Sequence, residues 1–193
     1  MYFELESSPW EKYGVQKWPE LPDGAFGFQS GDLITVEVTE PVKFIVDNTA
    51  ANPPTDFVTS FMPVFSDSLI SAFRKSGIDN LQTFKALLYN PETNEKWDEY
   101  QVVNILGKIA CADMENSKYK HLIGDDYNFS KLVIDVEKAH GALMFRLLES
   151  HDKIIIHNDV LDYLYDENDD PIFRGLEITA IDSSRDMANT YQK

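Results

Sequence analysis

The chain has 193 residues, 43% of them hydrophobic, with 33 acidic against 17 basic residues and a formal net charge of -16 at pH 7. That length suffices for one ample core or two small ones sharing an interface, and a field of that sign repels DNA, RNA and anionic lipid while it speeds encounter with a basic protein. The single Cys111 excludes an intramolecular disulfide, and neither the opening Met1-Tyr2-Phe3-Glu4-Leu5-Glu6 nor any later run reads as a signal peptide or membrane span, so a cytoplasmic protein is expected.

The acidity is spread along the chain: 16 acidic and 7 basic residues lie up to Tyr100, and 17 and 10 after it. Seven aromatics, Tyr2, Phe3, Trp10, Tyr13, Trp18, Phe26 and Phe28, crowd the first 28 residues among Pro9, Pro19 and Pro22. They can pack an irregular arm onto a sheet or supply anchors for a partner. Gly24, Gly27 and Gly31 lack the spacing and the preceding strand of a dinucleotide fingerprint. Leu33 to Val38 and Lys43 to Asp47 read as two strands separated at Glu40-Pro41, because proline cannot continue a ladder. Asn48 to Asp56 is a surface loop or a hinge between lobes.

Val64-Phe65-Ser66-Asp67-Ser68-Leu69 predicts a strand running into a capped helix, with Leu69, Ile70 and Phe73 as its apolar stripe and Gly77 as its exit. Leu81 to Tyr89 and Trp97 to Ile109 are strands around Asn90-Pro91-Glu92-Thr93-Asn94-Glu95, a hairpin signal. Phe129 to Val136, Ala142 to Glu149 and Ile154 to His157 are further β-prone runs, and His140-Gly141 marks a second hairpin. Arg146, if inward-facing, needs a carboxylate, and Asp135 across that hairpin is the nearest. Ile156-His157-Asn158-Asp159-Val160-Leu161 repeats the earlier strand-to-helix pattern, with Asn158 as the cap, Leu161, Leu164 and Tyr165 as the stripe, Gly175 as the exit and Leu176 to Ile181 as the strand that follows. The expected architecture is therefore α+β: largely antiparallel sheet with a few capped helices and a strand-helix-strand quasi-repeat. It forms one domain, with 1–96 as a loop-rich lobe and 97–193 as a second lobe if the chain divides.

The C-terminal half also resembles a known family. Tyr100 to Gly107 with Asp113-x-Glu115-x-Ser117, Ala142-Leu143-Met144-Phe145-Arg146-Leu147, and Ile154-Ile155-Ile156-His157-Asn158-Asp159-x-Leu161 leading to Gly175-Leu176 are similar to the bacterial polymorphic-toxin immunity proteins classed as immunity family eleven. The first sixty residues follow that pattern only loosely. The resemblance implies a protein that binds and neutralises a cognate toxin, with no catalytic residues to carry over.

Several patterns bear on chemistry. Asp166, Asn168, Asp170 and Glu177 match the first, third, fifth and twelfth positions of an EF-hand calcium loop, but Pro171 stands where that loop needs glycine, so no calcium site is expected. Asp159, Asp162 and Asp166 fall at helical spacing and continue into Glu167, Asp169 and Asp170. Asp162, Asp166, Glu167, Asp169 and Asp170 are the candidate surface for a cationic partner, against the plainer reading of a solvated helix face. His121, His140, His151 and His157 show no zinc-ligand spacing, and no nucleophile elbow or phosphate loop occurs. The chain reads as a non-enzymatic immunity protein that covers the active site of a basic, nuclease-like toxin domain, with no cofactor and no nucleic acid or membrane partner. Self-association is left open. The alternative is a metal-dependent hydrolase built on Asp and Glu clusters.

Overall fold

The computed structural model describes residues 1–21 and 26–183. Pro22 and Gly24 lie outside the described residues. Strands β1 (Tyr2–Ser7), β2 (Val15–Lys17), β3 (Val42–Val46), β4 (Phe57–Thr59) and β5 (Val64–Ser66) precede helix α1 (Asp67–Lys75). Next come β6 (Leu81–Asn90) and β7 (Glu95–Ile105), then β8 (Lys108–Ile109), β9 (Lys118–Ile123), β10 (Asp126–Lys131) and β11 (Val133–Ile134). The last strands are β12 (Met144–Leu147), β13 (Ser150–His157) and β14 (Leu176–Ser183), and 3-10 turns occupy Phe26–Gln29 and Asn158–Tyr163.

Two six-stranded sheets result, ordered β2-β3-β6-β7-β5-β4 and β11-β14-β1-β13-β12-β8, and β9 and β10 form a separate two-stranded ribbon. Only the pairs β3/β6, β8/β12 and β11/β14 are parallel. The molecule is thus mostly β and largely antiparallel, as the hairpin signals imply. The β6/β7 hairpin turns where expected: Asn90 Oδ1 accepts the N–H groups of Glu92 (2.8 Å) and Thr93 (3.3 Å), an Asx turn that stands in for ladder bonds.

Helix α1 follows its sequence signals. Ser66 Oγ accepts the Leu69 N–H at 3.2 Å, Asp67 stands in the first turn and Arg74 and Lys75 in the last, and Gly77 leaves the helix at a φ of 98°. Its buried face, Leu69, Ile70 and Phe73, joins Phe57, Phe65, Val103 and Ile105 of the first sheet with Leu5, Met144, Ile154 and Ile156 of the second in one apolar cluster. The helix and the second 3-10 turn, through Val160 and Leu164, fill the space between the sheets. Burying apolar area common to both sheets, at about 25 cal/mol per Å², makes each sheet's stability depend on the other's presence.

Three expectations need correction. Leu33 to Val38 is not a strand. Ile34 and Val38 are buried in the first sheet's core, but the Ile34 backbone bonds to the Gln82 side-chain amide in both directions, at 3.0 and 2.8 Å, and so has no need of a neighbouring strand. His140-Gly141 does not join a hairpin either: β11 lies at the far edge of the second sheet against β14, and β12 pairs with β13 through the tight turn at Leu148-Glu149. The third concerns the segment after His157, which is a 3-10 turn of six residues and not a second α-helix. Its cap is His157, whose Nδ1 accepts the Asp159 N–H at 3.3 Å, one residue before the expected Asn158. The two strand-helix-strand segments therefore differ at the helix itself.

Candidate functional site

The acidic segment leaves β13 through this 3-10 turn and enters β14. With three residues per turn, Asp159 and Asp162 lie above one another, while Asp166 stands beyond the turn's end at Tyr163. The expected continuous helical face is therefore absent. Instead Tyr165 and Pro171 bridge the base of a loop, and Asp166 Oδ1 accepts the N–H groups of Asn168 (2.8 Å) and Asp170 (3.0 Å). Those bonds, the Asp170 one first, hold the Asp166 carboxyl below the usual carboxylate range. Asp169 takes a φ of 62°, a left-handed position that Asp tolerates better than most residues.

Asp166 thus shapes the loop that carries Glu167, Asp169 and Asp170, while Asp162 stands on the 3-10 turn before it. All five are exposed, and none forms a salt bridge among the described residues. Asn158, Leu161, Asp162, Tyr165, Asp166, Glu167 and Asp169 line a shallow cleft of about 510 Å³. Tyr163 and Ile172, 41% and 53% exposed, stand nearby as apolar groups. In the calcium-loop pattern, Asp166 Oδ1 is already bonded to its own backbone, and Glu177 sits in β14 opposite Glu6 of β1. Among the described residues no group of three His, Cys, Asp or Glu side chains is placed to hold a metal ion.

Arg146 is inward-facing, as its strand implies, but Asp135 is not its partner. The guanidinium is wholly buried and donates from Nη1 to the carbonyls of His151 (3.0 Å) and Asp152 (3.3 Å) and from Nη2 to that of Phe28 (2.8 Å). Burial brings its pKa down to about 10, which leaves it charged at neutral pH. Asp135, carried to the other edge of the sheet with β11, faces Lys138 at 3.4 Å.

The N-terminal aromatics divide between core and surface. Tyr2 and Phe28 are buried, with Tyr2 edge-on to Phe145 and His157 at 5.7 and 5.0 Å. Trp18 meets Phe44 and Phe61 edge-on, whereas Trp10 is 86% exposed.

The ribbon of β9 and β10 escaped the sequence reading. Gly124-Asp125 joins its strands, with Gly124 at a φ of 58°, and all six residues of β9 are exposed. Tyr119, His121, Tyr127 and Phe129 make a run of rings with centroids 5.2 to 6.3 Å apart. Asp113 and Ser117, two of the residues that carry the family resemblance, anchor its base: Asp113 Oδ1 accepts from Glu115 and Asn116, and Ser117 Oγ accepts the Val133 N–H at 2.9 Å. The legible signal was Tyr119-x-His121-x-Ile123, Gly124-Asp125, Tyr127-x-Phe129, an alternation around a two-residue turn with glycine first.

The chain matches the family model described as immunity protein family (Imm11) over residues 10–182. That match takes in most of the N-terminal segment, where the resemblance read from sequence is loosest. No curated protein matches the chain.

Proposed function

Since the chain belongs to the Imm11 immunity protein family, we propose that it acts in the cytoplasm, without catalysis, by binding a cognate bacterial toxin domain over its active-site cleft. The toxin domain is basic and nuclease-like in this reading. The observation that carries it is the exposed group Asp162, Glu167, Asp169 and Asp170, unpaired by any basic side chain among the described residues, the last three set on a loop that Asp166 holds in shape. Carboxylates so placed keep an unneutralised field directed at solvent, which attracts a cationic surface and repels nucleic acid. Tyr163 and Ile172 supply apolar area beside them, the combination of anchor and charged rim that a long-lived complex requires.

The hydrolase alternative would need converging carboxylates at metal-ligand distance, and no observation favours it. The reading is tested by isolating the chain's protein partner from the native cell, purifying the toxin domain so identified and titrating it with the chain. Binding accompanied by loss of toxin activity is expected. Turnover of a substrate by the chain alone, with no complex formed, contradicts it.

A further inference from the structure

We propose that the β9–β10 ribbon is a second docking element, which takes an extended segment of the toxin as an added strand along the open edge of β9. The inference rests on the immunity reading for the existence of the partner and not on the acidic loop. Three observations carry it. First, among the described residues β9 has only β10 as a neighbour and its other edge meets no strand of either large sheet, so its outward N–H and C=O groups form an unused ladder there. Second, the ribbon is held in shape before any partner arrives: its rings pack on one another, His121 Nε2 lies 2.7 Å from the Gly124 carbonyl, and the Tyr127 N–H bonds to the Glu149 carbonyl at 2.8 Å. Little ordering entropy is then lost on docking.

Third, the charge of β9 is opposite to that of the molecule. Lys118 and Lys120 form no salt bridge among the described residues and share one face of the strand, while Tyr119 and His121, whose rings both meet Tyr127, share the other; an irregularity at Leu122, between the pairs Tyr127/His121 and Asp126/Ile123, ends that alternation. Opposed residues in an added strand lie on the same face, so the partner fitting this edge alternates carboxylate and apolar side chains. A second copy of this chain fits poorly. Two-fold pairing of β9 with itself sets the lysine face against the lysine face and opposes like charges.

Lysines on an open edge also deter edge-to-edge aggregation, and the experiment separates that role from docking. The probe is the toxin domain identified by isolating the chain's partner from the native cell. Amide hydrogen exchange is followed across residues 118–123 in the free chain and in the complex, and affinity is measured for the wild type and for Lys118→Glu/Lys120→Glu. The proposal predicts slowed exchange along β9 in the complex and, for the variant, a dissociation constant raised by about tenfold or more. A complex that forms with no slowing at 118–123 overturns the proposal, whatever the variant's folding. So does a variant that binds the toxin normally but self-associates. If the wild-type chain forms no complex at all, the immunity reading itself fails, a different outcome from a complex that leaves β9 unprotected.

Discussion

Arg146 Nη2 donates to the carbonyl oxygen of Phe28 at 2.8 Å across 118 positions of sequence. The bond ties β12, in the second sheet, to the 3-10 turn whose Phe28 packs in the core of the first. A charged donor in a dry interior gives a short, directional bond, and removing it leaves three carbonyls without their partner. Arg146→Met keeps most of the volume and none of the donors. It is expected to lower the free energy of unfolding by roughly 2 to 5 kcal/mol in urea titration. A loss below about 1 kcal/mol would mean that water replaces the guanidinium without penalty.

Gly175 and Gly107 have similar backbones and different surroundings. Both have positive φ, 80° and 96°, but a Cβ on Gly175 would meet Thr55 Oγ1 at 2.3 Å and the Phe57 carbonyl oxygen at 2.9 Å, while one on Gly107 meets nothing within 4 Å. Gly107→Ala should cost about 1 kcal/mol, from left-handed strain alone. Gly175→Ala should cost clearly more, because a backbone oxygen cannot swing aside. Thermal unfolding of the two variants side by side checks the order.

The apolar contact of the second 3-10 turn is carried by Val160 within it and by Leu164 at its C-terminal cap, buried to 0% and 1% exposure, with Leu161 only partly buried. Leu164→Ala is expected to destabilise by roughly 2 to 5 kcal/mol, while Asp162→Ala, on the exposed side, changes stability by less than about 0.5 kcal/mol. Equal effects in denaturant titration would contradict the packing described.

Glu149 gives a pH signature. Burial pushes its carboxyl up, its Oε2 is buried without a hydrogen-bond partner, and Oε1 accepts the Ala112 N–H at 3.3 Å. A raised folded pKa means that the folded state binds more protons in the window just above the usual glutamate value, so this residue's effect on stability worsens as pH rises through that window. Glu149→Gln should therefore be more stable than the wild type at neutral pH, with the difference shrinking as pH falls through that window toward the usual glutamate value of about 4.3 and constant below it. A pH series of melting temperatures tests it, and a constant difference at all pH values would assign the effect to shape and not to ionisation.

Much of the framework was legible because local chemistry and tertiary structure agree there. Ser66 and Gly77 bound α1 as caps should, Asn90 turns the β6/β7 hairpin, and Ile154, Ile155 and Ile156 are all buried as a continuous apolar run implies. The errors fall where a group other than the expected one meets the polar demand. Gln82 bonds the Ile34 backbone from 48 positions away, backbone carbonyls accept from the Nη atoms of Arg146 where a carboxylate was expected, and His157 takes the cap expected at Asn158. At the candidate site the acidic residues were recognisable by composition. The division of labour between Asp166, bonded to its own loop, and its exposed neighbours depends on a turn that spacing alone does not encode.

The central claim is that the acidic loop brings the toxin in. The most direct measurement is the association rate of the chain with the toxin domain isolated as its partner, at low and high salt, for the wild type and for a variant with Asp162 and Asp170 changed to Asn and Glu167 to Gln. Asp166, which holds the loop, is left intact. The variant should associate more slowly at low salt, added salt should slow the wild type more than the variant, and the dissociation rate should change less, because exposed charges act on encounter. A folded variant that associates at the wild-type rate in low salt contradicts the claim.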